Sequence, residues 1–346
     1  MTAVSAPLRG STHRRTAGYR WIGWVGSLAL LAALIFASVA IGSKDIAFGQ
    51  VLSAFTHPGS TDQDLVITSL RVPRTALGLL VGAALGVAGA LIQAFTRNPL
   101  ADPGILGVNS GSALAVSIGI AFFGLTSITQ YLWLAFAGAI VTTVVVYAIG
   151  TFGRAGATPV RLTLAGVGVA AVFGGVTSAI SLTRPEAFRS MLGWSAGSLT
   201  GPPLSTSALI APFVIVGLVI AVAITRDLNA LALGDDLAAS LGGKAARTRV
   251  FAIVSVTLLT GAATAAAGPI GFVGLMIPHV ARWITGPDQR WIFAYTMTLG
   301  PCLLLASDVI GRVVMRPAEL PVGIVTAFVG APVLVLLARR TKASGL

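Results

Sequence analysis

"VFAIVSVTLLTGAATAAAGPIGFVGLMIPHVA", Val250 to Ala281, contains no Asp, Glu, Lys or Arg. An α-helix needs about 20 apolar residues to cross the hydrocarbon of a bilayer. The stretch is long for one crossing and short for two, and the choice decides on which side of a membrane every later residue lies. Pro269 cannot donate a backbone hydrogen bond and its ring clashes with the preceding turn; Pro278 interrupts the run again. The stretch therefore divides into one full helix ending near Gly268 and one short helix after it.

The rest of the chain has the same character. Of its 346 residues 55% are hydrophobic and 10% charged, whereas a soluble domain is about a quarter charged. This is the composition of a membrane protein. Uncharged runs cover Trp21–Ser43, Thr75–Thr96, Pro103–Gly153, Leu162–Thr183, Ser190–Thr225, Trp291–Ser307 and Leu320–Ala338. Pro103–Gly153 is long enough for two crossings, with a break near Gly124 to Gln130. The fold class expected is an all-α integral membrane protein of about ten transmembrane helices with both termini cytoplasmic.

Charge tests the count, because cytoplasmic segments are enriched in Lys and Arg. With ten crossings and the N-terminus inside, all of the 23 basic residues fall inside except Lys44, Arg71, Arg74, Arg184, Arg189, Arg312 and Arg316. Reading Val250 to Ala281 as one crossing would flip everything after it and spread the positive charge nearly evenly over both sides. The net charge of +12 is thus a matter of membrane orientation, not of nucleic-acid binding. The first apolar run is too long for the core of a signal peptide and lacks a small-residue cleavage site, so it reads as a retained helix. Cys302 is the only cysteine, which rules out an intrachain disulfide or a cysteine metal cluster. No soluble domain is present. Residues 1–20 form a cytoplasmic tail, 21–338 a single bundle with a cytoplasmic loop at 226–249, and 339–346 a second tail.

Within the bundle, "GAALGVAGA" places Gly82, Gly86, Gly89 and Ala90 at three- and four-residue spacing, which lets helix backbones approach closely. Gly166, Gly168, Gly174 and Gly175 read as packing glycines too. No phosphate-binding loop exists; "LGGKAART" at Leu241 to Thr248 has Ala where the magnesium-binding hydroxyl belongs. The chain therefore hydrolyses no nucleotide, and no catalytic residue, metal site or cofactor is expected. An ion-driven carrier usually keeps an acidic residue deep in its bundle. Asp308 is the single candidate, and Arg312 four residues on makes a local ion pair the simpler account. His279 lacks a second ligand and reads as structural. In "LALGDDLAASLGG", Asp235 or Asp236 can cap a helix, Gly242 can end it, and Leu233, Leu237 and Leu241 fall on one face. So short a helix is marginal alone, so its leucines must dock on the bundle or on a cytoplasmic partner; composition leaves both open.

"RVPRTALGLLVGAALGVAGALIQAFTRNPLADPGILGVNSG", "PVRLTLAGV", "LALGDDLAASLG", "GPIGFVGLMIPHVARW", "SDVIGR" and "ELPVGIVTAFVGAPV" together resemble the FecCD family, the membrane permeases of ABC importers for iron siderophores, haem and vitamin B12. The likeness runs from about Ser43 to the C-terminus in order and spacing. "TRNPLADPG", "VRLTLAG" and "PHVARW" lean toward its ferric-siderophore branch, and there toward the ferric-enterobactin permeases.

The resemblance implies a non-enzymatic subunit of the cytoplasmic (inner) membrane that imports ferric siderophore. Its implied partners are a second permease, alike or different, two cytoplasmic ABC ATPases and an extracytoplasmic siderophore-binding protein. It implies a cytoplasmic gate at Asn98, Pro99 and Leu100, with Thr158 and Pro159 in a second gate segment. It assigns Leu233, Gly234, Asp235, Asp236, Leu237, Leu241 and Gly242 to a coupling helix seated in the ATPase, and it gives Arg71, Arg74 and Arg312 to docking of the binding protein's glutamates. The alternatives are the same family carrying vitamin B12 or haem, and an ion-coupled secondary transporter.

Overall fold

The computed structural model describes residues 12–42, 49, 61–152, 158–240 and 244–343. Among the described residues there is helix and no strand. Among the described residues, seven helices are long and apolar enough to cross a membrane. They are α1 (Thr12–Ala40), α2 (Asp62–Thr96), α4 (Ile128–Thr151), α5 (Pro159–Thr183), α7 (Leu204–Ala223), α10 (Ala245–Ala267) and α12 (Gln289–Val314). Shorter apolar helices are α3 (Val108–Phe123), α11 (Val273–Thr285) and the first part of α13 (Val322–Ala343). Three more lie between crossings: α6 (Pro185–Ser195), α8 (Thr225–Leu231) and α9 (Asp235–Ser240).

At the centre α2 packs antiparallel on α12. Gly78 meets Leu305, Gly82 meets Gly300 and Pro301, and Gly86 meets Thr296, so one glycine per turn brings the two backbones together. Lipid offers apolar side chains no reason to associate, and close packing of small residues supplies it instead. Alongside, α1 runs parallel to α12: Trp24 Nε1 donates to Ala294 O at 3.2 Å, and Ser27 Oγ lies 2.9 Å from Thr298 Oγ1. On the other flank α10 joins α7 through Ser255 Oγ, which donates to Gly217 O at 2.7 Å. The α3–α4 hairpin closes where Gly111 abuts Gly138 and Thr142.

The stretch Val250 to Ala281 divides at Gly268. Helix α10 ends at Ala267, Gly268 caps it at φ 74°, and α11 starts at Val273 after Phe272 at φ 67°. Pro269 sits in the break, whereas Pro278 remains inside α11, so the second proline bends no boundary into the chain. Gly268 and Ile270 of the break are buried while Gly271 is exposed, and irregular backbone at membrane depth is tolerated where protein buries it or a water-filled cavity meets it. Ser198 N–H donates to Ala267 O at 2.8 Å, and Gly323 N–H donates to Gly197 O at 3.0 Å, so the segment after α6 and the start of α13 fill the space beside it.

Three further details depart from the sequence expectations. Helix α1 begins at Thr12, inside the stretch assigned to a tail. The loop 226–249 contains a second short helix, α8, which buries Leu228 and Leu231. Among the described residues, nothing packs against Gly168, Gly174 and Gly175, whereas Gly166 lies on the carbonyl of Ile105.

Candidate functional site

Following α2 from Arg74 to Thr96 leads from one end of the bundle to the other, and the residues singled out by sequence gather at these two ends. At the first, α2 opens with a widened turn over Ile67–Arg71, where Val72 N–H reaches back to Ile67 O. Pro73 follows and has no N–H to give, so the ladder is already broken here. The wide turn aims Arg71 at the end of α1, where Nη1 donates to Val39 O at 2.9 Å and to Ala40 O at 2.6 Å. Arg312 Nη1 donates to Ser38 O at 2.7 Å and Ile41 O at 3.1 Å, and Arg316 Nη2 donates to Gly42 O at 2.8 Å. A helix leaves its last four carbonyls unpaired, with partial negative charge; here three arginines supply both donors and countercharge.

Arg74 forms the second half of the cluster. Its Nε and Nη2 donate to Asp308 Oδ1 at 2.9 and 2.6 Å, and its Nη1 pairs with Glu319 Oε2 at 2.5 Å. Asp308, fully buried, also binds Arg312 through its other oxygen. Arg71, Arg74 and Arg312 are all buried, and with Glu319, Ser69 and Thr200 they line a cavity of about 250 Å³. Neither a lipid-seeking orientation nor a loose surface position describes them: they turn inward and tie α1, α2 and α12 together. The local Asp308–Arg312 pair expected from spacing is present, but Arg74 shares the carboxylate.

At the opposite end α2 stops at Thr96. Arg97 takes the left-handed conformation at φ 52°, and its N–H and that of Asn98 both return to Gln93 O. Asn98 Oδ1 accepts from Leu100 N–H at 2.9 Å, and Ala101 N–H donates to Asn98 O at 3.1 Å. Asn98, Pro99 and Leu100 thus form a tight, exposed turn. Asp102 then caps the single turn Pro103–Leu106 through Gly104 N–H at 2.8 Å. Burial raises the Asp102 carboxyl above its ordinary range, and the Gly104 N–H partly offsets this. Pro103 lies against Gly274 of α11, and the Ile105 carbonyl against Gly166 of α5. Thr158 caps α5 by accepting from Arg161 N–H at 3.4 Å; the Pro159 side chain lies outside the described residues.

The expected coupling helix is present as α9, entered through Gly234 at φ 116°. Leu233 precedes the helix in a turn and is 63% exposed, so it does not extend a face of α9. Leu241 and Gly242, and the side chains of Asp235, Asp236 and Leu237, lie outside the described residues. What sequence reasoning missed is the polar joint beside α9. Asn229 of α8 donates from Nδ2 to Asp288 Oδ1 and accepts from Gln289 N–H, both at 2.9 Å. An Asn before a helix-capping Asp in the next connection is the available signal, and it needs the fold to be seen.

One span stands apart. The apolar helix α5 has 6% of its most apolar window buried inside the chain, against 78% for α2 and α10. Helix α5 packs on α3 and α4 along one side, with Gly166 against the Ile105 carbonyl, and turns the rest of its apolar surface away from the chain. The chain belongs to the FecCD transport family, whose model matches residues 30–340. It is 45% identical to the ferric enterobactin transport system permease protein FepD of Escherichia coli, over 94% of this chain and 97% of that one. It is 43% identical to the iron(3+)-hydroxamate import system permease protein FhuB of Bacillus subtilis, over 92% and 83% of the two chains. Its fold is similar to a solved inward-facing metal-chelate-type ABC transporter, with a TM-score of 0.80 and 27% identity over 92% of this chain and 98% of that one.

Proposed function

We propose that this chain is the permease of an ABC importer in the cytoplasmic membrane, crosses that membrane ten times, and passes a ferric siderophore inward without covalent chemistry. A second permease completes the pathway, two cytoplasmic ATPases supply the energy, and an extracytoplasmic binding protein delivers the chelate. The observation that carries the reading is α5. Val160, Leu164, Val167, Val172, Val176 and Leu182 are exposed on it, and Gly168, Gly174 and Gly175 leave its backbone bare. A span of that kind is unfinished until a neighbouring subunit packs on it. The names of the related permeases, for ferric enterobactin and iron-hydroxamate, support siderophore as cargo.

Within this reading the turn at Asn98–Leu100 is the inner gate, with Thr158 and Pro159 beside it. The loop carrying α8 and α9, including Leu237, Leu241 and Gly242, receives the ATPase. The end bearing Arg71, Arg74 and Arg312 meets the binding protein, whose carboxylates are drawn by a net positive cluster. Reconstitution into vesicles tests the whole. Uptake of labelled ferric siderophore is expected only with ATPase, binding protein and ATP together, unaffected by an uncoupler and not displaced by vitamin B12 or haem. Uptake by this chain alone that collapses with the ion gradient would replace the proposal with a secondary carrier.

A further inference from the structure

Helix α11 lies between the ATPase-facing loop and the gate turn; a side-chain amide of α2 bonds it directly, and a side-chain amide of α8 bonds the connection that joins it to α12. At its far end only Gly286, Pro287 and Asp288 separate it from α12. There Asn229 of α8 holds Asp288 and the Gln289 N–H, both at 2.9 Å. Toward the gate, Gln93 of α2 does the corresponding work. Pro278 has no N–H, so the carbonyl four residues back, Gly274 O, loses its helical donor. Gln93 Nε2 replaces it, donating to Leu275 O at 3.1 Å and Gly274 O at 3.4 Å, while Gln93 Oε1 accepts from Arg282 Nη2 at 2.9 Å. The same residue's backbone carbonyl receives the N–H groups of Arg97 and Asn98 that start the gate turn.

The geometry points to α11 as a relay from the ATPase-facing loop to the gate, with Asn229 and Gln93 as positioning residues at its two joints. The inference rests on the proposed assignment of those two segments. The helix is fit for the part. About 20 Å long at 1.5 Å per residue, it is bounded by the irregular segment Gly268–Phe272 on one side and by Gly286 at φ 77° on the other. It crosses α2 where Gly89 and Gly274 leave no room for a side chain, which is a pivot and not a bond. Each joint is made by a side-chain amide that bears no charge itself, and exchanging one such hydrogen bond for another costs less than separating a pair of buried opposite charges.

The test uses the full importer in vesicles, with Leu100→Cys in a Cys302→Ala background as the gate reporter. Leu100 is exposed and contributes no side-chain hydrogen bond. Asn229→Asp sets a carboxylate against Asp288, and Gln93→Met strips the donor from Gly274 and Leu275. Gln93→Met, outside the ATPase-facing loop, is expected to keep ATPase capture and ATP hydrolysis, and both variants are expected to lose the ATP-dependent change in labelling rate and to lower uptake per ATP by about tenfold. Exchanging partners, Asn229→Asp with Asp288→Asn, restores the bond with donor and acceptor reversed and should restore both readouts. A labelling response that persists in both single variants overturns the relay. A parent protein whose labelling never responds to ATP overturns the gate assignment itself, and the relay with it.

Discussion

The two ends of this bundle are held by opposite chemistry. At the arginine end, three helices meet around Asp308, Arg74 and Arg312, which are buried and paired with one another. At the opposite end, where the gate is proposed, the helices meet through Gln93, Asn229, a tight turn and glycines packed on carbonyls. Two charges taken out of water must stay paired, because separating them in a low dielectric costs several kcal/mol; such a cluster therefore has one arrangement. Amide-to-carbonyl bonds have near-equivalent alternatives, so the gate end can repack. In the proposed function, where a partner is received at one end and the gate opens at the other, this division is useful.

The sharpest way to break the contrast is to remove the shared countercharge. Asp308→Ala leaves the Arg74 and Arg312 guanidinium groups facing each other in a buried site, with only Glu319 remaining for Arg74. The loss is expected to reach about 3–5 kcal/mol, seen as a fall in membrane yield and in the detergent unfolding temperature. An unchanged unfolding temperature would mean that the cluster does not fix α1, α2 and α12.

Much of this contrast could be read from the sequence in part only. The helices came from uncharged runs, and the division at Gly268 came from Pro269, because hydrophobic length and a missing N–H act locally. Asp308 with Arg312 was legible for the same reason, as an i, i+4 pair. Arg74 on Asp308 was not, since 234 residues separate them and only the antiparallel packing of α2 on α12 joins them. Gln93 gave no signal at all: its task is set by Pro278, and the two meet because Gly89 lets α2 and α11 touch. Pro278 itself was misread as a break, since a proline can stay within a helix when a neighbouring side chain serves the carbonyl it abandons. Gly168, Gly174 and Gly175 read as packing glycines, and no described residue of this chain covers them, because spacing shows that a helix can be approached and not by which chain.

A smaller effect sharpens the comparison at the place where the two halves cross. Gly89 and Gly274 sit backbone to backbone, so Gly89→Val must push α11 away from α2 and loosen Gln93 from Leu275. Overpacking of this kind costs about 1–3 kcal/mol, less than the loss of Asp308. Unlike that loss, it should show in hydrogen exchange of residues 273–285 before it shows in the arginine end. Equal loosening of both ends would make the bundle a single rigid unit and remove the distinction.

The smallest expected change in stability belongs to Leu233. It stands 63% exposed in the turn before α9, where a large apolar side chain gains nothing from this chain's own core. Leu233→Asp should therefore leave unfolding within about 0.5 kcal/mol of the parent, the usual range for a surface position without special contacts. Its consequence should appear elsewhere. If the loop carrying α8 and α9 seats in the ATPase, a carboxylate at this position enters a desolvated contact, and losses above about 1 kcal/mol are typical of a contact near the centre of such an interface. Co-purification of the ATPase should then weaken roughly tenfold in apparent affinity, while labelling of Leu100→Cys without ATP stays as in the parent. A variant that is stable and still captures ATPase at full strength would move the docking surface off Leu233 and onto the rest of the loop.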